Sequence, residues 1–327
     1  MLELAIDIDP LSPRAYFIRV MRGVPSSTEE LEAGILEVLE IDPDYQPALQ
    51  RYAKYRWMFH GELARSIQLI EHALEHDPGN AWLLHTAIAM YLDIGDPETA
   101  NALLARAGRP DISGRLLVLL YDRDRRGAGE AALRDSAFAN GLYENWGVYE
   151  ALRDWAIDSG DYRRALEQID RHTALGAAVP EIRLNNFRAV PEFAQLEIAA
   201  GDTEAGRALL ESGLRWIDEY HLPRRGRVYA LRVKANIQLL LGERDEALDT
   251  LRTSFAANDY LQSWYTIEQD PLWLPLHGDP RFEAIAATVR AHVAGEAVAL
   301  EDLRRQGLVP RRSTAASAPG TDVGNPQ

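Results

Sequence analysis

Apolar residues recur at helical spacing through most of the chain, and no stretch alternates as a half-buried strand would. Leu84, Ala87, Ile88 and Tyr91 share one helix face, as do Phe282, Ile285, Ala286 and Val289. The breaks between helical stretches repeat. Three close on the same phrase: Ala5-Ile-Asp-Ile-Asp-Pro10, Val38-Leu-Glu-Ile-Asp-Pro43 and Ala73-Leu-Glu-His-Asp-Pro78, spaced 33 and 35 residues. Proline cannot continue a helix and pushes the residue before it out of helical conformation, so each Asp-Pro ends an element. A second kind of break is Gly, then an acidic residue, then a small residue five positions after the Gly. Gly95-Asp96…Ala100, Gly160-Asp161…Ala165 and Gly242-Glu243…Ala247 fit; Gly61-Glu62…Ser66 and Gly201-Asp202…Gly206 vary the small residue. Glycine supplies a left-handed helix end, the acid starts the next helix against its positive dipole, and the small residue lets the two helices approach.

This unit resembles the tetratricopeptide repeat, a helix–turn–helix of about 34 residues. With the turn Gly aligned, Leu84, Ala87, Ile88, Tyr91, Gly95, Ala100, Leu104 and Ala107 fall at signature places. So do Tyr149, Leu152, Gly160, Ala165 and Ile169, and Leu231, Ala235, Gly242, Ala247 and Leu251. The first unit departs, with Val24-Pro-Ser-Ser at the turn, and the fourth, about 111–141, keeps only its helical pattern and Gly127. The Gly160–Gly201 and Gly201–Gly242 spacings stretch to 41 residues, so those units have longer helices or loops. The resemblance implies an all-α fold: a right-handed superhelical solenoid of about seven hairpins over residues 12–258. Residues 1–11 read as the remnant of a preceding repeat, and a start in mid-phrase implies a piece of a longer polypeptide. Residues 259–308 read as a Pro-rich turn, Asp270 to Phe282, and a capping helix, Arg281 to Gln306; 309–327 read as a disordered tail. The closing phrase also resembles the end of repeat regions in bacterial winged-helix regulators and nucleotide cyclases. A sensory or regulatory arm is therefore the alternative to a free-standing scaffold.

In the family, inward-pointing positions of the first helices line a concave groove. They correspond here to Trp82, His85, Ala89 and Leu92, then Glu150 and Asp154, Arg188 and Gln195, and Tyr229, Arg232 and Asn236. The groove so drawn has an acidic middle and a more basic end, which implies a protein or peptide partner, basic or helical. Arg232 and Asn236 are similar to half of the chaperone carboxylate clamp, although neighbouring units lack the matching residues. Trp57, Trp146, Trp155, Trp216, Trp264 and Trp273 read as core, and Trp82 as a groove anchor.

Chemistry adds little. The chain has no Cys, which excludes disulfides, Cys-ligated metals and a Cys nucleophile. It carries no phosphate-binding loop, dinucleotide fingerprint or nucleophile elbow. His72-Ala-Leu-Glu-His76 matches the inverted zinc-protease signature, with both rings on one helix face. Yet Val38-Leu-Glu-Ile-Asp-Pro43 has the same ending without His, so the phrase reads as an ordinary repeat terminus. No catalytic residue, metal or cofactor is assigned. A zinc hydrolase at His72 and His76 is the remote alternative, and adventitious metal binding with nearby His85 a milder one. The expected activity is noncatalytic binding. A formal net charge of −15 disfavours nucleic acid and anionic membrane, and runs such as Leu116–Tyr121 and Ile237–Leu241 are too short to span a bilayer. The basic residues Arg304, Arg305, Arg311 and Arg312 read as a solvated helix end. A cytoplasmic protein is expected.

Overall fold

The computed structural model describes residues 6, 8–22, 28–107, 112–134, 147–221 and 230–312. Among these the secondary structure is all helical, with no strand. In chain order the helices are α1 (Pro13–Arg22), α2 (Thr28–Ile41), α3 (Gln46–Tyr55), α4 (Leu63–His76), α5 (Ala81–Asp93), α6 (Pro97–Arg106), α7 (Ile112–Tyr121) and α8 (Arg125–Arg134). There follow α9 (Val148–Ser159), α10 (Tyr162–Thr173), α11 (Val190–Ala200), α12 (Thr203–Trp216), α13 (Ala230–Leu241), α14 (Arg244–Ala256), α15 (Ser263–Glu268) and α16 (Pro280–Arg305). π-helical turns extend α3 over Arg56–His60 and α12 over Ile217–His221.

The sequence punctuation sets these boundaries. Helices α2 and α4 end one residue before Asp42-Pro43 and Asp77-Pro78. Gly95, Gly160, Gly201 and Gly242 have φ of 82°, 76°, 104° and 88°, the left-handed region where a side chain is strained. Each next helix begins at the neighbouring acid. The side chains of Asp96, Asp161 and Asp202 accept from the amides of Thr99, Arg164 and Ala205, which would otherwise lack partners in the first turn. The fourth unit, without a turn Gly, makes the same turn with Arg123 at φ 62°, and Asp124 accepts from the Gly127 amide. Ala128, five residues after Arg123, is fully buried, as are Ala100, Ala165 and Ala247 at the matching place.

Consecutive helices pack in pairs: α1 with α2, α3 with α4, α5 with α6, α7 with α8, α9 with α10, α11 with α12, and α13 with α14. The first members also touch one another in sequence, α3 to α5, then α7, α9, α11 and α13, forming a continuous row. The chain's last part lies against that row. Helix α15 packs on α7. Helix α16 starts on α14, where Phe282, Ile285, Ala286 and Val289 join the core of Trp273, Leu251 and Phe255.

A cap would end there, but α16 continues. Its 26 residues extend about 39 Å, far enough to reach back to α4. There the Glu296 carboxylate accepts from the Ala64 amide at 2.8 Å and supplies the cap that Glu62 does not make. His292 meets the Gly61 carbonyl at 2.9 Å and stacks on Tyr260, with ring centroids 3.8 Å apart. The helix is thus a strut between distant hairpins. The basic end is solvated at Arg305 and Arg311, as expected, but not at Arg304 and Arg312. Arg304 bonds Asp96 at 2.6 Å and Glu301 at 2.7 Å, while Arg312 pairs with the fully buried Glu71. Val309, assigned above to a disordered tail, is buried in the core that holds Trp57, Leu84 and Leu261. Residues 313–327, like most of 1–7, lie outside the described residues.

Candidate functional site

The row of first helices carries buried charges, Asp93 at the end of α5, Arg153 within α9 and Glu192 in the first turn of α11, where hairpin packing alone would favour apolar residues. Asp93 and Arg153 find partners in residues 259–270, which run along the row. On α5, the buried Asp93 accepts from Trp57 Nε1 at 3.1 Å, from Trp264 Nε1 at 2.9 Å, and from the Gln262 amide at 3.0 Å. Burial nevertheless raises its pKa to about 7. On α8, Arg125 donates to the Gln269 carbonyl at 3.1 Å, and Gln269 Nε2 to the Tyr121 carbonyl of α7 at 2.9 Å. On α13, Arg232 bonds the Asp259 carboxylate at 2.9 Å and also the Leu261 carbonyl. Asn236 accepts from Trp273 Nε1 at 2.9 Å.

The centre is Arg153 of α9, a guanidinium with no exposed surface. It donates to Asp154 Oδ1 from Nε at 3.0 Å and Nη2 at 2.9 Å, and from Nη2 to Tyr265 Oη at 2.6 Å and Asp270 Oδ1 at 2.9 Å. Tyr265 in turn donates to Asp154 Oδ2 at 2.7 Å. Burial works against the Arg153 charge, but Asp270, Tyr265, Asp154 and Glu192 hold its pKa well above the ordinary value. Glu192 of α11 is 3.8 Å from Arg153 Nη1, and burial, reinforced by Glu150, pushes its carboxyl up. Asp270 is raised to about 6 by burial, partly offset by Arg153.

Beside this network lies a polar cavity of about 40 Å³ lined by Glu150, Arg188, Glu192, Arg232, Asn236 and Asp270, among others. That volume accommodates about three waters. Glu192, which lines the cavity, has a buried Oε2 with no hydrogen-bond partner among the described residues, as has the nearby Arg153 Nη1.

The structure therefore brings Glu150, Arg188, Arg232 and Asn236 to one place. It does not leave them as an open groove. Asp154 is buried in the ion network rather than exposed to a partner, because α9 meets residues 265–270 there. Arg232 and Asn236 are engaged by Asp259, Leu261 and Trp273 rather than by a foreign carboxylate. Gln195 stands apart on α11, with Oε1 unpartnered among the described residues. Ala89 and Leu92 are buried core, and Tyr229 lies outside the described residues.

Trp82 and His85 sit at the other end of α5, eleven and eight residues before Asp93, about 16 and 12 Å along the axis. Trp82 remains 46% exposed, with the Lys54 ammonium 5.5 Å from its ring centroid. Trp57 and Trp273 are buried as expected; Trp146 is outside the described residues. Sequence reasoning passed over Asp93, Arg153, Glu192, Asp259, Tyr265 and Asp270. The available signal was a charge placed inside an apolar phrase, as Asp93 follows Met90-Tyr-Leu92 and Arg153 follows Ala151-Leu152. Among the described residues, no helix is long and apolar enough to cross a membrane. In comparison with known proteins, the chain matches no protein-family model and no curated protein.

Proposed function

We propose that this chain is a noncatalytic protein-interaction scaffold of the tetratricopeptide-repeat kind, a helical-hairpin solenoid that recognises polypeptide along its row of first helices. The observation that supports this most is how the row handles the chain's own residues 259–270. It grips them partly through main-chain groups, the Gln262 amide on Asp93 and the Leu261 carbonyl on Arg232, and Arg125 of the adjoining α8 takes the Gln269 carbonyl. Side chains that bond main-chain groups can hold a segment whatever its side chains are. The C-terminal part of the row is committed to this internal segment, so a partner segment docks at the other end of α5. There the half-exposed indole of Trp82, with the buried Lys54 ammonium behind its ring, offers an aromatic anchor.

The test is site-specific photocrosslinking in the source cells. A benzophenone side chain at position 82 is compared with one at Val179, an exposed apolar residue elsewhere on the surface. One polypeptide captured at position 82 and not at 179, and competed by unlabelled parent chain but not by Trp82→Ala, is the expected result. The same capture profile at both positions refutes the assigned surface.

A further inference from the structure

The His pair of α4 lies far from the ion network and has its own geometry. His72 and His76 are one turn apart on one helix face, with ring centroids 4.9 Å apart. A third group arrives from a different element. Asp44, in the turn between α2 and α3, is positioned by a bond from its own amide to Asp42 Oδ1 at 3.1 Å. Its carboxylate oxygens lie 2.7 Å from His72 Nε2 and 3.8 Å from His76 Nε2. One ligand atom from each of the three residues falls within 4.8 Å of the others.

The second ring nitrogens complete the pattern. His76 Nδ1 is 3.0 Å from the His72 carbonyl, and since a carbonyl only accepts, that nitrogen carries the proton. The Nε2 lone pair of His76 is then left facing Asp44. His72 Nδ1 is 3.6 Å from Glu75 Oε2, which places a carboxylate behind that ring as well. For His76 this is the outer-shell arrangement that orients an imidazole toward a metal; for His72 the 2.7 Å bond to Asp44 puts a proton on Nε2 in the metal-free protein, and metal binding would displace it. Ligand atoms bound to one zinc at about 2.0–2.2 Å stand roughly 3.3 Å apart, so rotation of these exposed side chains closes the site.

The geometry points to a divalent transition-metal site of the zinc class, ligated by His72 Nε2, His76 Nε2 and the Asp44 carboxylate, with Glu75 behind His72. Two imidazoles and one carboxylate favour zinc, nickel or copper over calcium or magnesium. Solvent completes the shell, since all three side chains are partly exposed. The metal would fasten the α2–α3 turn to α4, joining the first hairpin to the second. His85, considered with this pair above, is not in the cluster.

The experiment uses the full chain without an affinity tag, stripped by chelator and titrated with zinc chloride by calorimetry. Cobalt chloride, followed by visible absorption, reports the ligand set. One metal per chain is expected. His72→Ala, His76→Ala and Asp44→Asn each weaken binding more than Glu75→Gln, whose loss is about tenfold. These side chains are at the surface, and unchanged circular dichroism shows that the variants keep the fold. Lack of saturable binding overturns the site. So does unchanged binding in the His72→Ala/His76→Ala double variant, which would mean an adventitious ion only, held elsewhere. Binding that needs the His pair but not Asp44 overturns the three-ligand assignment.

Discussion

Replacing Arg153 by Ala tests whether residues 259–270 are held to the hairpin array by charge. The side chain has no exposed surface and makes four hydrogen bonds, to Asp154, Tyr265 and Asp270. Without it Asp154 keeps the Tyr265 hydroxyl and the more distant Arg125, 3.7 Å away, while Asp270 keeps the Leu272 amide. Removing one partner of a buried ion pair costs about 3–5 kcal/mol, because the remaining charge stays desolvated. Asp270 already titrates at about 6, so on losing its cation it takes up a proton near neutrality, which limits the loss. The expected value is therefore at the lower end, about 3 kcal/mol. Arg153→Lys keeps the charge but loses the fork and should cost less. Urea unfolding followed by tryptophan fluorescence measures the loss, and hydrogen exchange locates it: amides of α15 and residues 269–272 should lose protection together with those of α9. A loss below about 1 kcal/mol, the scale of a surface pair, would refute the reasoning. So would exchange that changes in α9 and leaves α15 untouched.

The small residue five places after each turn gives a second test. Ala165→Leu overpacks the α9–α10 hairpin, and a Cβ at Gly206 would stand 2.8 Å from the Ala194 carbonyl oxygen and 2.7 Å from Ile198 Cγ1; each of Ala165→Leu and Gly206→Ala should destabilise by about 1–3 kcal/mol in the same urea assay. Unchanged midpoints would mean that these helices do not approach there as described. The buried carboxyls predict a pH dependence. Asp93 and Asp270 titrate at about 7 and 6 when folded, against about 3.9 in an unfolded chain, so the native state binds more protons between these values. Stability should therefore fall as pH rises from about 4 to about 7 and level off above, and stability that is flat or rises with pH over that range would count against the burial of these groups.

What was readable from sequence is what local chemistry decides. Gly, an acid and a small residue five places on specify a turn within a few residues, and Asp-Pro ends a helix without outside help. These gave the boundaries of α2, α4 and the helices around Gly95, Gly160, Gly201 and Gly242. The Arg123 turn was hidden because a non-glycine residue there accepts left-handed strain. Glu150, Arg232 and Asn236 come together from the helices α9 and α13 that sequence assigned them to, whereas Arg188 reaches the same place from the 3-10 turn Phe187–Ala189 ahead of α11. Their state could not be read, because it depends on Asp259, Tyr265 and Asp270, up to 117 residues away from their partners. A partner that far along the chain leaves no periodic trace. The metal candidate divides in the same way: His72 and His76 are visible as a local motif, whereas Asp44 joins them only through the packing of the α2–α3 turn on α4.

The strut has a consequence for synthesis. In an open array each hairpin needs only its neighbours, and can fold as it leaves the ribosome. Here Glu71, fully buried in the second hairpin, receives its counter-charge from Arg312, 241 residues later, and the Ala64 amide waits for Glu296, 232 residues later. At roughly 5–20 residues per second, about 12–50 s separate the emergence of Glu71 from that of Arg312. For that interval the nascent N-terminal hairpins carry an uncompensated acid and an uncapped helix. They become fully native only when α16 and Arg312 have emerged, so the arrival of this strut acts as a checkpoint on the folding of the first hairpins.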